Sequence, residues 1–174
     1  GSSGRVFIIG GSRNFIGAAY FAAASAYKVG AGLVTIATPR SLVYPLSVKI
    51  PEATFIPLRE SNDGAISSNN LDLIAPQVSR YDSLVIGCGI GQDPQTQIFL
   101  SKLLTNINTL PKLIIDADGL NWLSSMNIKK RISTIKKLSK YKIMVKFVGR
   151  SPESLLINNL PYQLIICVEI PLFP

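Results

Sequence analysis

Histidine is absent from all 174 residues. Its absence removes the commonest general base and metal ligand, and it excludes any Ser-His-Asp or Cys-His mechanism carried by this chain alone. Two cysteines, Cys88 and Cys167, are too few for a disulfide framework and lack zinc-ligand spacing, so a reducing, cytoplasmic setting is expected. Acids are scarce too, with 10 Asp+Glu against 18 Lys+Arg and a formal net charge of +8. No apolar run reaches the roughly 18 residues of a membrane span. The N-terminus shows no basic region followed by an apolar stretch and cleavage site, so neither a membrane partner nor a signal peptide is expected. The opening Gly1-Ser2-Ser3-Gly4 lacks Met and reads either as an expression scar or as the interior of a longer chain.

What is present is apolar: 47% of residues are hydrophobic, enough for one domain with a sizeable core and too short a chain to expect two. The positive excess suits an anionic ligand such as a nucleotide or a nucleic acid. Much of it sits in Lys129-Lys130-Arg131, Lys136-Lys137, Lys140, Lys142 and Lys146. That run has little aromatic interleaving and matches no RNA- or DNA-binding module, so it reads as a solvated helix face and no nucleic-acid partner is expected. A homo-oligomer stays open.

Strand and helix signals alternate along the chain. Short apolar runs at Val6 to Ile9, Leu33 to Ala37, Ala53 to Leu58, Leu84 to Ile86 and Lys112 to Ile115 read as buried strands. Between them, helices are expected after Gly17, over Ser41 to Val48 despite Pro45, over Leu71 to Val78, and from Asp93-Pro94 to about Asn106. Ser12 or Asn14 is expected to cap the first helix and Gly30 to stop it. Ser61 to Asn70, with Asn62-Asp63-Gly64, reads as a surface loop. The pattern predicts an α/β fold with a mainly parallel sheet and helices on both faces. Lys129 to Lys142 reads as a basic helix. Residues 143–174 form an atypical tail without helical periodicity, in which Leu164 to Ile170 is strand-like.

Three strand ends turn small, flexible or acidic, which suggests one shared crevice where open α/β sheets bind ligands. The first, Gly10-Gly11-Ser12 to Gly17, lets a phosphate or sugar approach the backbone beside a helix N-terminus, or is a plain tight turn. The second, Gly87-Cys88-Gly89-Ile90-Gly91, offers backbone N–H groups, and Cys88 reads as a small turn residue because no basic neighbour is evident to activate its thiol. At the third, Asp116 and Asp118 would share one face of an extended strand, where they hold a hydrated Mg²⁺ or a ribose, unless an Asp caps the following helix. Asn121 caps or packs locally. A Rossmann oxidoreductase competes on the first turn. Against it stand a glycine spacing longer than G-x-G-x-x-G, no acid after Thr38-Pro39-Arg40, and no Tyr-x-x-x-Lys pair.

In order, Gly4-Arg5-Val6-Phe7-Ile8-Ile9-Gly10-Gly11-Ser12, Gly17-Ala18-Ala19-Tyr20, Gly30-Ala31-Gly32-Leu33-Val34-Thr35, Pro51-Glu52-Ala53, Gly87-Cys88-Gly89-Ile90-Gly91 and Asp116-Ala117-Asp118-Gly119-Leu120-Asn121 resemble the ADP- or ATP-dependent NAD(P)H-hydrate dehydratases. These are ribokinase-like enzymes. The resemblance covers about Gly4 to Leu123 and rests on the ordered series. It implies nucleotide-driven dehydration of (S)-NAD(P)H hydrate by phosphorylation of its hydroxyl and elimination of phosphate, with ADP or ATP and Mg²⁺ as cofactors. It also implies that Ala18 or Ala19 and the Gly87 to Gly91 turn contact the hydrated coenzyme, with Asp116 and Asp118 near the phosphate and metal region.

The family's Thr-Pro-His-x-Gly-Glu, Lys-Gly and late Gly-Gly-x-Gly-Asp segments are not found, and the last of these carries the catalytic base. The chain by itself is therefore expected to be inactive, with the C-terminal part of the fold missing, or to be a non-catalytic nucleotide-binding fragment. Back-translating Val148 to Ser154 and reading two nucleotides later permits Gly-Glu-(Ile or Val)-Ser-Arg, like the family sequence after its histidine. That match suits a tail that is frameshifted or misannotated after about residue 142, with truncation and a natural tail as the alternatives.

Overall fold

The computed structural model describes residues 3–106, 110–138, 143–148 and 164–169. Its strands are β1 (Arg5–Ile9), β2 (Leu33–Pro39), β3 (Thr54–Leu58), β4 (Ser83–Ile86), β5 (Lys112–Asp116), β6 (Ile143–Val148) and β7 (Leu164–Glu169). They form one sheet in the order β3-β2-β1-β4-β5-β6-β7, and every pairing is parallel. Each central strand is an apolar run because both of its faces are covered. In β1, Ile8 packs with one core cluster while Phe7 and Ile9 pack with the other. The expected parallel α/β sheet with helices on both faces is what forms.

Helices α1 (Ile16–Lys28) and α2 (Arg40–Lys49) cover one face. The other carries α3 (Leu71–Val78), α4 (Pro94–Asn106), α5 (Asp118–Ser125) and α6 (Ile128–Leu138). Ala19 and Ala23, one turn apart, are the buried residues of α1, and their small side chains let its backbone lie close on the sheet. Gly30, at φ +96°, ends α1 as expected. Its N–H bonds the Tyr27 carbonyl while that of Ala31 bonds Ala26, which satisfies two carbonyls of the last turn. Asp93 caps α4 by accepting the Gln95 N–H at 2.7 Å, with Pro94 in the first helical position.

Three local expectations change. The residue before α1 is Phe15, no side chain caps that helix, and Ser12 and Asn14 lie in the preceding turn. The Ser12 hydroxyl has a different partner, described below. Strand β2 runs two residues past Ala37, through Thr38 and Pro39. In the stretch read as an atypical tail, residues 143–148 pair as a strand that was not expected, because an apolar run can join an open parallel edge without any helical periodicity, while 164–169 form a strand within the strand-like run Leu164 to Ile170. Of the expected basic helix, α6 accounts for residues up to Leu138; residues 139–142 and most of the Val148 to Ser154 stretch lie outside the described residues.

Candidate functional site

Strand order decides where a ligand can sit. From β1 the chain winds outward through β2 to β3, then returns to the other side of β1 as β4 and winds the opposite way through β5. The switch point lies between β1 and β4, and the crevice of a doubly wound sheet opens outside the carboxyl ends of such a pair. The turn after β1 carries Gly11 and Ser12, and the turn after β4 carries Gly87, Gly89 and Gly91. The turn after β5 carries Asp118 beside them, so all three expected strand ends meet at one edge.

They are bonded to each other. The Gly11 N–H donates to the Cys88 carbonyl at 2.9 Å, and the buried Ser12 hydroxyl donates to the Gly89 carbonyl at 2.8 Å. The Gly91 N–H donates to Asp118 Oδ2 at 3.0 Å, a charge-assisted bond that ties the second turn to the third. The Cys88 thiol faces Asp116, with Sγ 3.7 Å from Oδ2. Gly87 sits at φ +118°, and a Cβ built on it would lie 2.0 Å from the Asp116 carbonyl oxygen. Only glycine lets the two strand ends close to this distance.

The acidic pair differs from its expected geometry. Alternation along a strand would aim Asp116 and Asp118 at one face, but Ala117 turns to φ +45° and ends β5 at Asp116. Asp118 opens α5, where it receives Gly91 and, through Oδ1, the Asn121 amide at 3.1 Å. Asn121 is exposed, held to the first turn of α5 by that bond. Ala19 is fully buried beneath Gly10 and Gly11, while the half-buried Ala18 faces Gly89. The mesh thus occupies Ser12, Gly11, Gly87 and Gly89 in closing the turns. Ala18, Gly91, Asp116, Asp118 and exposed Asn121 remain at the surface of the crevice.

Two features escaped the sequence reading. The loop after β3 is a strap: the Arg13 N–H bonds the Gly64 carbonyl at 3.1 Å, Ser61 Oγ bonds Asp93 Oδ2 at 3.0 Å, and Thr96 Oγ1 bonds the Ile66 carbonyl at 3.0 Å. Its apolar Ala65 and Ile66, both buried, were the available signal. Thr38, next to the end of β2, has a fully buried hydroxyl without a hydrogen-bond partner among the described residues, directly against Gly11. Away from the crevice, exposed Arg59 and Asp72 form a bidentate pair at 2.9 to 3.1 Å. Hydrogen bonding from Arg59 holds the Asp72 carboxyl below its usual range.

An all-parallel doubly wound sheet with a glycine-lined crevice at its switch point defines a nucleotide-type α/β protein of the ribokinase-like or dinucleotide-binding kind, and the strand order by itself fits both. A solved ribokinase-like superfamily protein of Enterococcus faecalis aligns with TM-score 0.59 and 26% identity, covering 83% of this chain and 45% of that one. The sequence profile of the NAD(P)H-hydrate dehydratases matches residues 6–137, and the chain belongs to that family. Membership decides against the competing Rossmann oxidoreductase. A bifunctional NAD(P)H-hydrate repair enzyme of Moorella thermoacetica is 38% identical over 125 residues, 72% of this chain and 23% of the relative. The ATP-dependent (S)-NAD(P)H-hydrate dehydratase of Aedes aegypti is 40% identical over 121 residues, 69% of this chain and 35% of the relative. The chain thus spans about a quarter to a third of the length of these relatives.

Proposed function

We propose that residues 1–174 form one incomplete ribokinase-like domain that carries the coenzyme side of an ADP- or ATP-dependent (S)-NAD(P)H-hydrate dehydratase and works in the cytoplasm. The observation that carries this reading is the meeting of the three turns at the switch point, within the segment that matches the family. Ala18, Gly91, Asp116, Asp118 and Asn121 would contact the hydrated coenzyme. Gly11, Ser12, Gly87 and Gly89 would shape the wall through their bonded backbone, with Ala19 supporting the first turn from beneath.

Phosphoryl transfer depends mostly on positioning and on stabilising spread negative charge. Among the described residues no group of three or more Asp, Glu, Cys or His side chains could hold a metal ion. A magnesium ion would arrive with the nucleotide phosphates, and Asp116, half-buried at the crevice, would be the carboxylate of this chain placed to hold it. Bound there, Mg²⁺ with ADP or ATP would supply the phosphoryl group and the charge compensation. The chain's own residues would orient the coenzyme and keep its hydrated ring beside the glycine turns. Without the Gly-Gly-x-Gly-Asp segment and its base, the polypeptide is expected to bind and not to turn over.

The test is to incubate the purified chain with NADH hydrate, ADP or ATP and Mg²⁺ while following NADH absorbance, and to measure thermal stabilisation by each ligand. Stabilisation by the hydrate or by NADPH without recovery of absorbance is expected. Hydride transfer to an added substrate, or no stabilisation by any coenzyme form, would overturn the reading.

A further inference from the structure

On the sheet face opposite α1 and α2, a groove of about 540 Å³ runs between α4 and the corner where α5 meets α6. None of the crevice residues lines it, and it is independent of the proposed dehydratase function. Ile98, 47% exposed, sits on one wall, with Trp122 and Met126 on the other. The Trp122 indole N–H is satisfied by the Gln97 carbonyl at 3.2 Å, and the ring, buried in the core, borders the inner edge of the groove. Lys102 on α4 and Lys130 on α6 stand at the two sides, both exposed and neither in an ion pair among the described residues. Among the described residues no Asp or Glu lines the groove, and α6 carries five Lys or Arg and no acid.

We propose that this groove is a docking site for an acidic peptide segment of a partner protein, one apolar side chain entering between Ile98 and Met126 with a carboxylate to either side on Lys102 and Lys130. Charge selects the occupant. A second copy of this chain also carries a net +8 and would be repelled. A concave site with Ile98 and Met126 between flanking lysines takes an apolar side chain bordered by carboxylates better than a flat bilayer does, and among the described residues its one aromatic lining residue, Trp122, is buried and gives a nucleobase no stacking platform.

Trp122 is the only tryptophan, so emission under tryptophan-selective excitation comes from one residue, which borders this groove. A short synthetic peptide with Glu on both sides of a Leu, titrated into the whole chain, is expected to shift Trp122 emission saturably, and rising salt is expected to weaken it. The same peptide with Lys in place of Glu is expected to do nothing. Reversing both lysines, Lys102→Glu with Lys130→Glu, is expected to weaken binding roughly tenfold, because attraction becomes repulsion at two points. Lys49→Glu, on the far face, controls for net charge and is expected to leave binding unchanged. Both groove lysines are exposed, and the emission spectrum of the free variant shows whether Trp122 is still packed. No saturable response, an equal response to the Lys peptide, binding unmoved by the double reversal, or a response only to single-stranded RNA or phosphatidylserine vesicles would each overturn the proposal.

Discussion

Replacing Gly87 by alanine tests whether the crevice is built by contact between strand ends, and Gly91 is its internal control. Both have positive φ, +118° and +72°, so each alanine carries a conformational cost of about 1–3 kcal/mol. They differ in space. At position 91 the nearest atom to a Cβ is Ser12 Oγ at 3.7 Å, an ordinary contact. At position 87 the Cβ would lie 2.0 Å from the Asp116 carbonyl oxygen and 2.7 Å from the Gly119 nitrogen, both backbone atoms that no rotamer change can move. The turn after β4 must therefore separate from the end of β5 by more than 1 Å, which also disturbs the bond from Gly91 to Asp118. Gly91→Ala is expected to cost about 1–2 kcal/mol, and Gly87→Ala to exceed about 4 kcal/mol. At about 2–4 °C per kcal/mol for a chain of this size, the first lowers Tm by a few degrees and the second by about 10 °C or more. Thermal unfolding followed by circular dichroism measures both. Equal shifts for the two variants would refute the argument that Gly87 is required by the approach of the β5 end.

Thr38→Val keeps the side-chain shape and removes a buried hydroxyl without a partner, so stability should rise by about 1–3 kcal/mol; an unchanged or lower Tm would mean the hydroxyl is bonded. Asp118→Ala removes the acceptor of both the Gly91 N–H and the Asn121 amide and should cost about 1–2 kcal/mol in denaturant unfolding, with faster amide exchange at Gly91. The Asp72 carboxyl, hydrogen-bonded by Arg59, should titrate below a free aspartate by NMR and return to the ordinary range in Arg59→Ala. Its folded pKa is lowered, so what the pair adds to stability is present above the unfolded value and fades as pH falls through the folded one. Both side chains are exposed, so the titration curve, and not Tm, is where the pair is to be read.

Local grammar made most of this protein legible. Apolar runs bounded by glycine, proline and polar residues identified five strands, because a strand covered on both faces leaves a continuous hydrophobic signature. Gly30 and Asp93-Pro94 marked helix ends because their backbone roles are set by residue type. The ordered motifs from Gly4 to Asn121 identified the family, which the strand order alone did not separate from a dinucleotide-binding fold. Tertiary structure decided the rest. Ser12 was a reasonable helix cap by type, yet its hydroxyl goes to Gly89, 77 residues away in sequence, because β1 and β4 are neighbours only in the sheet. Asp116 and Asp118 were separated by one residue and still diverged, because Ala117 ends the strand at a contact with another strand's turn. The strap over Arg13, the unpartnered Thr38 hydroxyl and the Lys102–Lys130 groove each depend on elements far apart in the chain. Periodicity and turn chemistry report how a segment treats its own neighbours; which distant atoms meet is set by the order in which the strands pack.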